Sequence, residues 1–151
     1  MTTAGGKHGS WILPGDNIFV DTSAWVEYFR GPAHELGRQL DTALDEGRAT
    51  GAGVVLMELL QGARDERSMR KIEDMFDALP LLDIGLDTWN AAGKLSNRYK
   101  KKGLILPLPD VLVAQLCIEN NAFLLTTDRH FEKIREVHLL NGVIFPTSRK
   151  D

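Results

Sequence analysis

The chain has a single cysteine, Cys117, among its 151 residues. A lone thiol cannot close an intramolecular disulfide, and it excludes zinc sites built from several thiolates. Long hydrophobic runs are missing too, since none exceeds four uninterrupted residues. That leaves no transmembrane helix and no signal-peptide core, so a cytoplasmic location is expected. Positive charge is also in deficit. Eighteen Lys and Arg stand against 21 Asp and Glu, for a formal net charge of −3. A basic surplus is the usual electrostatic footprint of a nucleic-acid binder. Composition alone therefore ranks RNA and DNA low among the partners.

The length fits one domain, and a chain of this size buries roughly two-thirds of its unfolded surface without needing a staple. Residues 1–16 are rich in Gly and Thr and have no period, so they read as a flexible leader. The leader closes on a turn at Pro14–Asn17. Trp11, Ile12 and Leu13 are apolar enough to dock on the body. The domain proper is expected over 17–147, with a short tail at 148–151.

Ile18–Val20 has strand character and ends at Asp21. Thr22 or Ser23 can cap a helix over Ala24–Arg30. A second amphipathic helix is expected over 34–47, with Leu36, Leu40 and Leu44 spaced by four and Gly47 closing it. A short connection at 49–53 leads to helices over Val54–Ala63 and Ser68–Leu79. Leu81–Ile84 is a second strand candidate. Leu86–Lys102 is a long helix with Trp89, Ala92, Leu95 and Tyr99 as its expected buried stripe. Pro109 sits in the first turn of a helix reaching Glu119 or Asn120. A third strand at Ala122–Leu125, a short helix at 130–135 and weak strand runs at Val137–Leu139 and Val143–Phe145 complete the chain. Short apolar strands separated by helices indicate an α/β fold with a mainly parallel sheet. In such folds ligands bind just outside the carboxyl ends of the strands.

Two strands end in an aspartate at that edge: Asp21 after the first, and Asp128 after Leu124–Thr127. Either can equally be a helix N-cap. Glu58 lies in the apolar stretch Val54–Leu60, where an ionised carboxylate is costly unless it meets a cation. Arg64 and Arg67 could supply that cation, as could a metal ion. Asp110 follows Pro107-Leu108-Pro109 and opens an apolar helix, where its charge also suits the helix dipole. Gaps of 37, 52 and 18 residues separate these four acids, so only a fold could assemble them. Hard cations such as Mg²⁺ and Mn²⁺ take oxygen ligands. An acidic cluster holding one or two such ions is suited to phosphodiester hydrolysis, where the ions activate water and stabilise charge on the phosphate.

Phe19-Val20-Asp21-Thr22-Ser23, Met57-Glu58-Leu59-Leu60-Gln61-Gly62, Leu106-Pro107-Leu108-Pro109-Asp110 and Thr126-Thr127-Asp128-Arg129-His130-Phe131 resemble, in this order, four motifs of PIN-domain proteins. Order, spacing and length together resemble the VapC-type toxins of bacterial toxin–antitoxin pairs, over residues 18–146. The leader is longer than those proteins usually carry. The resemblance implies a three-layer α/β/α sandwich with a central, mainly parallel sheet. It implies a metal-dependent endoribonuclease in which Asp21, Glu58, Asp110 and Asp128 hold Mg²⁺ or Mn²⁺. Asp21 and Asp110 would be the closest ligands, with Thr22 or Ser23 orienting a ligand or water. It also implies a homodimer held inactive by a VapB-like antitoxin, with the helices at 24–30, 34–47 and 54–63 supplying a groove and a dimer surface. The histidines show no cluster in sequence; His130, close to Asp128, could contact substrate, but a surface position is expected.

An acidic site repels RNA, so bases must lie near it. Lys94, Arg98, Lys100, Lys101 and Lys102 form one run without an acid, and Arg64, Arg67, Arg70 and Lys71 form another group. Each can hold phosphates, and each can equally be a solvated helix face. Setting the four proposed ligands aside leaves seventeen acids against eighteen bases. Rival readings are a catalytically silent PIN-like module that binds RNA or protein, a PIN-fold enzyme cutting DNA flaps, and another α/β phosphohydrolase. The last is disfavoured because Ser23 stands where a haloacid-dehalogenase-like enzyme needs its second Asp.

Overall fold

The computed structural model describes residues 2–3, 13–31, 34–137 and 142–144. Five short strands, β1 (Thr2–Thr3), β2 (Ile18–Val20), β3 (Ala49–Thr50), β4 (Phe123–Thr126) and β5 (Gly142–Ile144), form one sheet. Their spatial order is β1-β5-β4-β2-β3, and every pairing is parallel. Seven helices surround the sheet: α1 (Thr22–Arg30), α2 (Glu35–Asp45), α3 (Gly53–Gly62), α4 (Glu66–Asp77), α5 (Leu86–Lys101), α6 (Leu108–Asn120) and α7 (His130–Val137). Helices α1–α4 pack on one another as one layer, and α5–α7 as another.

The strand pattern explains the sheet. Ile18, Phe19, Val20, Leu124 and Leu125 are wholly buried, as expected for strands covered on both faces. The register pairs Val20 with Leu125. The chain leaving β2 goes to β3 on one side, while the chain leaving β4 goes to β5 on the other. The crevice of an open α/β sheet forms at such a reversal. Here it lies at the ends of β2 and β4, where the two strand-end aspartates are.

Four expectations change. Leu81–Ile84 is no strand: only Leu81 bridges Gly51. The Gly51 amide bonds the Pro80 carbonyl, and its own carbonyl accepts from Leu82. Nothing remains to extend beside a β3 only two residues long. Trp89 is 54% exposed. The buried stripe of α5 is Thr88, Ala92, Leu95 and Tyr99, so Ala92, Leu95 and Tyr99 are buried as expected and only the first position moves, from Trp89 to Thr88. Val137 ends α7 rather than opening a strand, and residues 138–139 lie outside the described residues, as does Phe145. The leader contributes Thr2–Thr3 as an edge strand beside β5. Near its end Leu13 is only 1% exposed. The Leu13 amide donates to Gln39 Oε1 at 3.1 Å, and its carbonyl accepts from Arg48 at 2.8 Å. Trp11 and Ile12 lie outside the described residues.

Candidate metal centre

Asp21 leaves the end of β2 with its amide still bonded to the Leu125 carbonyl at 3.0 Å. It occupies the N-cap position of α1 but makes no side-chain capping bond. Its carboxylate is therefore not committed to the helix. It is instead buried, at 4% exposure, and its Oδ2 accepts from two hydroxyls, Thr126 Oγ1 at 2.8 Å and Ser23 Oγ at 2.9 Å. Each hydroxyl is oriented in turn by a backbone donor. The Asp128 amide donates to Thr126 Oγ1, and the Thr127 amide to Ser23 Oγ, both at 3.0 Å. The crossed arrangement ties the end of β4 to the start of α1. Burial pushes the Asp21 carboxyl up from its ordinary 3.8 to about 6, against the lowering effect of the two hydroxyls. The Asp128 charge pushes it the same way.

Asp110 arrives from the other helical layer. Pro107 precedes α6 and Pro109 lies in its first turn, so the backbone ahead of Asp110 has little freedom. Its carboxyl also titrates near 6. Desolvation is the main cause, the charges of Asp128 and Asp21 add to it, and a hydrogen bond to His130 opposes them. Both carboxyls are held up by burial and by the charge of Asp128, as expected where acids meet with too little positive charge.

Asp128 partly serves the ordinary role read from its sequence. Its Oδ1 accepts from the His130 amide at 2.9 Å, at the start of α7. The same oxygen lies 3.2 Å from His130 Nδ1, and that nitrogen lies 3.2 Å from Asp110 Oδ2. One ligand atom each from Asp110, Asp128 and His130 falls within 4.8 Å of the others. Oxygen donors brought together with too little positive charge suit a hard divalent cation, so the residues fit one.

Glu58 is half-buried on α3, and its Oε1 accepts from Thr22 Oγ1 at 3.0 Å. Among the described residues it makes no ion pair with Arg64 or Arg67. Thr22 and Ser23 thus each hold a different acid, Glu58 and Asp21. The apolar sequence around Glu58 overstates its burial, because Met57 beside it is 64% exposed.

The bases separate into two places. Thr88 near the start of α5 bonds Glu119 near the end of α6 at 2.8 Å, so the two helices run antiparallel. The far end of α5, with Arg98, Lys100, Lys101 and then Lys102, consequently lies toward the Asp110 end of α6, and all four are exposed. Arg64 and Arg67 are exposed at the junction of α3 and α4, and Lys71 on α4 sits 5.1 Å over the Phe29 ring of α1. Among the described residues no salt bridge joins that group to the four carboxylates.

Sequence reasoning did not select Thr126 and His130. The alternation of a strand end offered a signal for Thr126, whose side chain must face Asp21 once Leu125 pairs with Val20. His130 had only its place two residues past Asp128.

The PIN domain family model matches residues 18–137. Among curated proteins, Ribonuclease VapC11 of Mycobacterium tuberculosis and VapC ribonuclease Mb1587 of Mycobacterium bovis are each 30% identical over 132 residues, covering 85% of this chain and 98% of the relative. Among solved structures, a DNA-bound VapBC from Salmonella typhimurium superposes with a TM-score of 0.71 at 19% identity, covering 85% of this chain and 97% of the other. VapBC2 from Rickettsia felis, bound to a promoter DNA fragment, gives 0.67 at 22% identity, covering 86% and 97%. The structural likenesses speak for the fold, and the sequence matches carry the assignment: this chain belongs to the PIN domain family.

Proposed function

We propose that this protein is a divalent-metal-dependent endoribonuclease, the toxin of a toxin–antitoxin pair. The observation that carries the reading is Asp21. It is a buried carboxylate at the reversal point of the sheet, its side chain makes no capping bond to the helix it begins, and its charge is coupled to those of Asp110 and Asp128. Four-motif order and 30% identity to proteins named VapC ribonucleases support the substrate class.

Asp21 and Asp110 would hold Mg²⁺ or Mn²⁺, with Glu58 and Asp128 completing the set directly or through water. The cation would supply Lewis-acid activation of water and charge neutralisation at the phosphorus. The chain's own residues do the rest. Ser23 and Thr126 fix the Asp21 carboxylate in direction and keep it ionised near neutral pH. Thr22 fixes Glu58. The rigid Pro107–Pro109 entry fixes Asp110. Arg98 and Lys100–Lys102 would receive the phosphate backbone from the open end of α5. Each phosphate contact adds salt-dependent affinity, so reversing charge at Lys100–Lys102 should weaken RNA binding and flatten its dependence on log salt by about 2–3. Unchanged binding would remove that cluster from the account.

By the same resemblance, the protein would work in the cytoplasm as a homodimer restrained by a VapB-like antitoxin. Among the described residues no helix is long and apolar enough to cross a membrane. The function is tested by incubating RNA and DNA with wild type, Asp21→Ala and Asp110→Ala, in Mg²⁺, Mn²⁺ or EDTA. The reading requires RNA cleavage by wild type with metal, loss in EDTA, and a fall of at least ~100-fold in both variants, the scale of losing a group that stabilises transition-state charge. Equal cleavage by all three proteins would rule it out, and cleavage of DNA alone would favour a flap-cutting enzyme.

A further inference from the structure

We propose that His130 is itself a ligand of the bound cation, making this a mixed nitrogen and oxygen site that favours Mn²⁺ over Mg²⁺. The inference rests on the metal-dependent reading above and adds a residue that the four-carboxylate set does not contain.

Three observations converge on it. First, His130 Nδ1 is equidistant, at 3.2 Å, from oxygens of two acids, Asp110 on α6 and Asp128 in the loop before α7. The ring's hydrogen bond goes to Asp110 Oδ2, so Asp128 Oδ1 stands as close to the nitrogen without being bonded to it. Equal approach to two acceptors is better suited to three donors surrounding a point than to a hydrogen-bond pair. Secondly, the spacing has the right scale. Neighbouring ligands around an octahedral ion with bonds of about 2.1 Å lie ~3 Å apart, and the two measured separations are 3.2 Å. Thirdly, the ring is held in place. The His130 amide donates to Asp128 Oδ1 at 2.9 Å at the start of α7, and Phe131 and Ile134 on that helix are wholly buried. The histidine is thus anchored by its backbone, while its ring remains about half exposed, at 48%.

Imidazole is a poor partner for Mg²⁺, which prefers carboxylate, carbonyl and water oxygens, whereas first-row transition metals accept it readily. In the protein alone, Nδ1 is hydrogen-bonded to Asp110 Oδ2. To serve a cation it presents its lone pair in the same direction, with the ring proton on Nε2. A histidine two residues after the fourth acid would therefore alter which ion this chain selects while leaving the acids unchanged.

The test compares wild type with His130→Ala and Asp110→Ala by calorimetric titration with Mn²⁺ and with Mg²⁺. It adds pulsed electron paramagnetic resonance of the Mn²⁺-loaded proteins. The expected result is a loss of about tenfold or more in Mn²⁺ affinity for His130→Ala, with Mg²⁺ affinity changed less than about threefold. A nitrogen-14 coupling should be present in the wild-type Mn²⁺ spectrum and absent from the variant's. Equal losses for the two ions, with no nitrogen coupling in wild type, would mean that His130 only orients the acids, and would overturn the proposal. Mn²⁺ binding that depends on Asp110 but not on His130 would overturn it and leave the metal-dependent reading standing. A wild-type protein that binds neither ion would overturn both.

Discussion

Asp21→Asn should make the metal-free protein more stable, not less, and only above acidic pH. The carboxyl titrates near 6 in the fold, against 3.8 ordinarily, chiefly because it is buried. A folded-state value above the unfolded one means that ionisation opposes folding. The penalty is absent below pH ~4, grows as pH rises through the interval, and is complete above pH ~6, where it is worth ~3 kcal/mol. Asparagine removes the charge and keeps the geometry. Both hydroxyls donate to the same oxygen, Oδ2, so an amide can place its carbonyl there and keep both bonds. For a chain of this size ~3 kcal/mol corresponds to a rise of about 5–10 °C in Tm. Scanning calorimetry in EDTA should show that rise at pH 7.5 and little difference at pH 3.5. Saturating Mn²⁺ should reverse the ranking, since an ion bound only to the folded wild type at 1,000 times its Kd adds about 4.1 kcal/mol, more than the ~3 kcal/mol penalty. A variant less stable than wild type at pH 7.5 without metal would refute the reasoning. So would a Tm difference that does not change with pH.

Thr126→Val removes a hydrogen bond to the ionised Asp21 and should push its carboxyl above 6, by an amount set by the ~1.5–3 kcal/mol of a charged hydrogen bond. Mn²⁺ affinity should then fall much more at pH 6 than at pH 8, and a loss independent of pH would contradict this. Leu13→Ala should cost about 2–4 kcal/mol, because Leu13 is 1% exposed within the core, and Tm should drop by roughly 5–15 °C. A change under about 2 °C would mean that the end of the leader does not support the domain. Cys117 is buried and its thiol is pushed far up by desolvation. A thiol reagent should label it only as fast as the protein unfolds, and rapid labelling of the native protein would contradict its burial.

Much of the fold was legible because the strands are uniformly apolar. Ile18–Val20 and 122–125 could hardly lie anywhere but the middle of a sheet. The acids at their ends then fell at the edge where α/β proteins bind ligands. The errors have local causes. On α5 only the first position of the stripe was misassigned, to Trp89, because Thr88 is buried with its bond to Glu119 and composition favours tryptophan over threonine for that face. Leu81–Ile84 has the residues of a strand, but its only neighbour is two residues long. At the site, the motifs propose four acids but do not say how each is held. That depends on β2–β4 register, which brings Thr126 beside Asp21, and on the start of α7, which turns His130 toward two carboxylates. The net charge misled as well: it counts acids without regard to place, whereas Asp110 and Asp128 lie together beside His130 and the charge of Asp128 reaches buried Asp21.

The central claim is that these carboxylates form a cation site. The most direct test is an anomalous difference map from crystals of the wild-type protein soaked in Mn²⁺. The account predicts a peak about 2 Å from carboxylate oxygens of both Asp21 and Asp110, with Asp128 and Glu58 beside it. A map with no peak there, or with Mn²⁺ only at surface acids elsewhere, would contradict it.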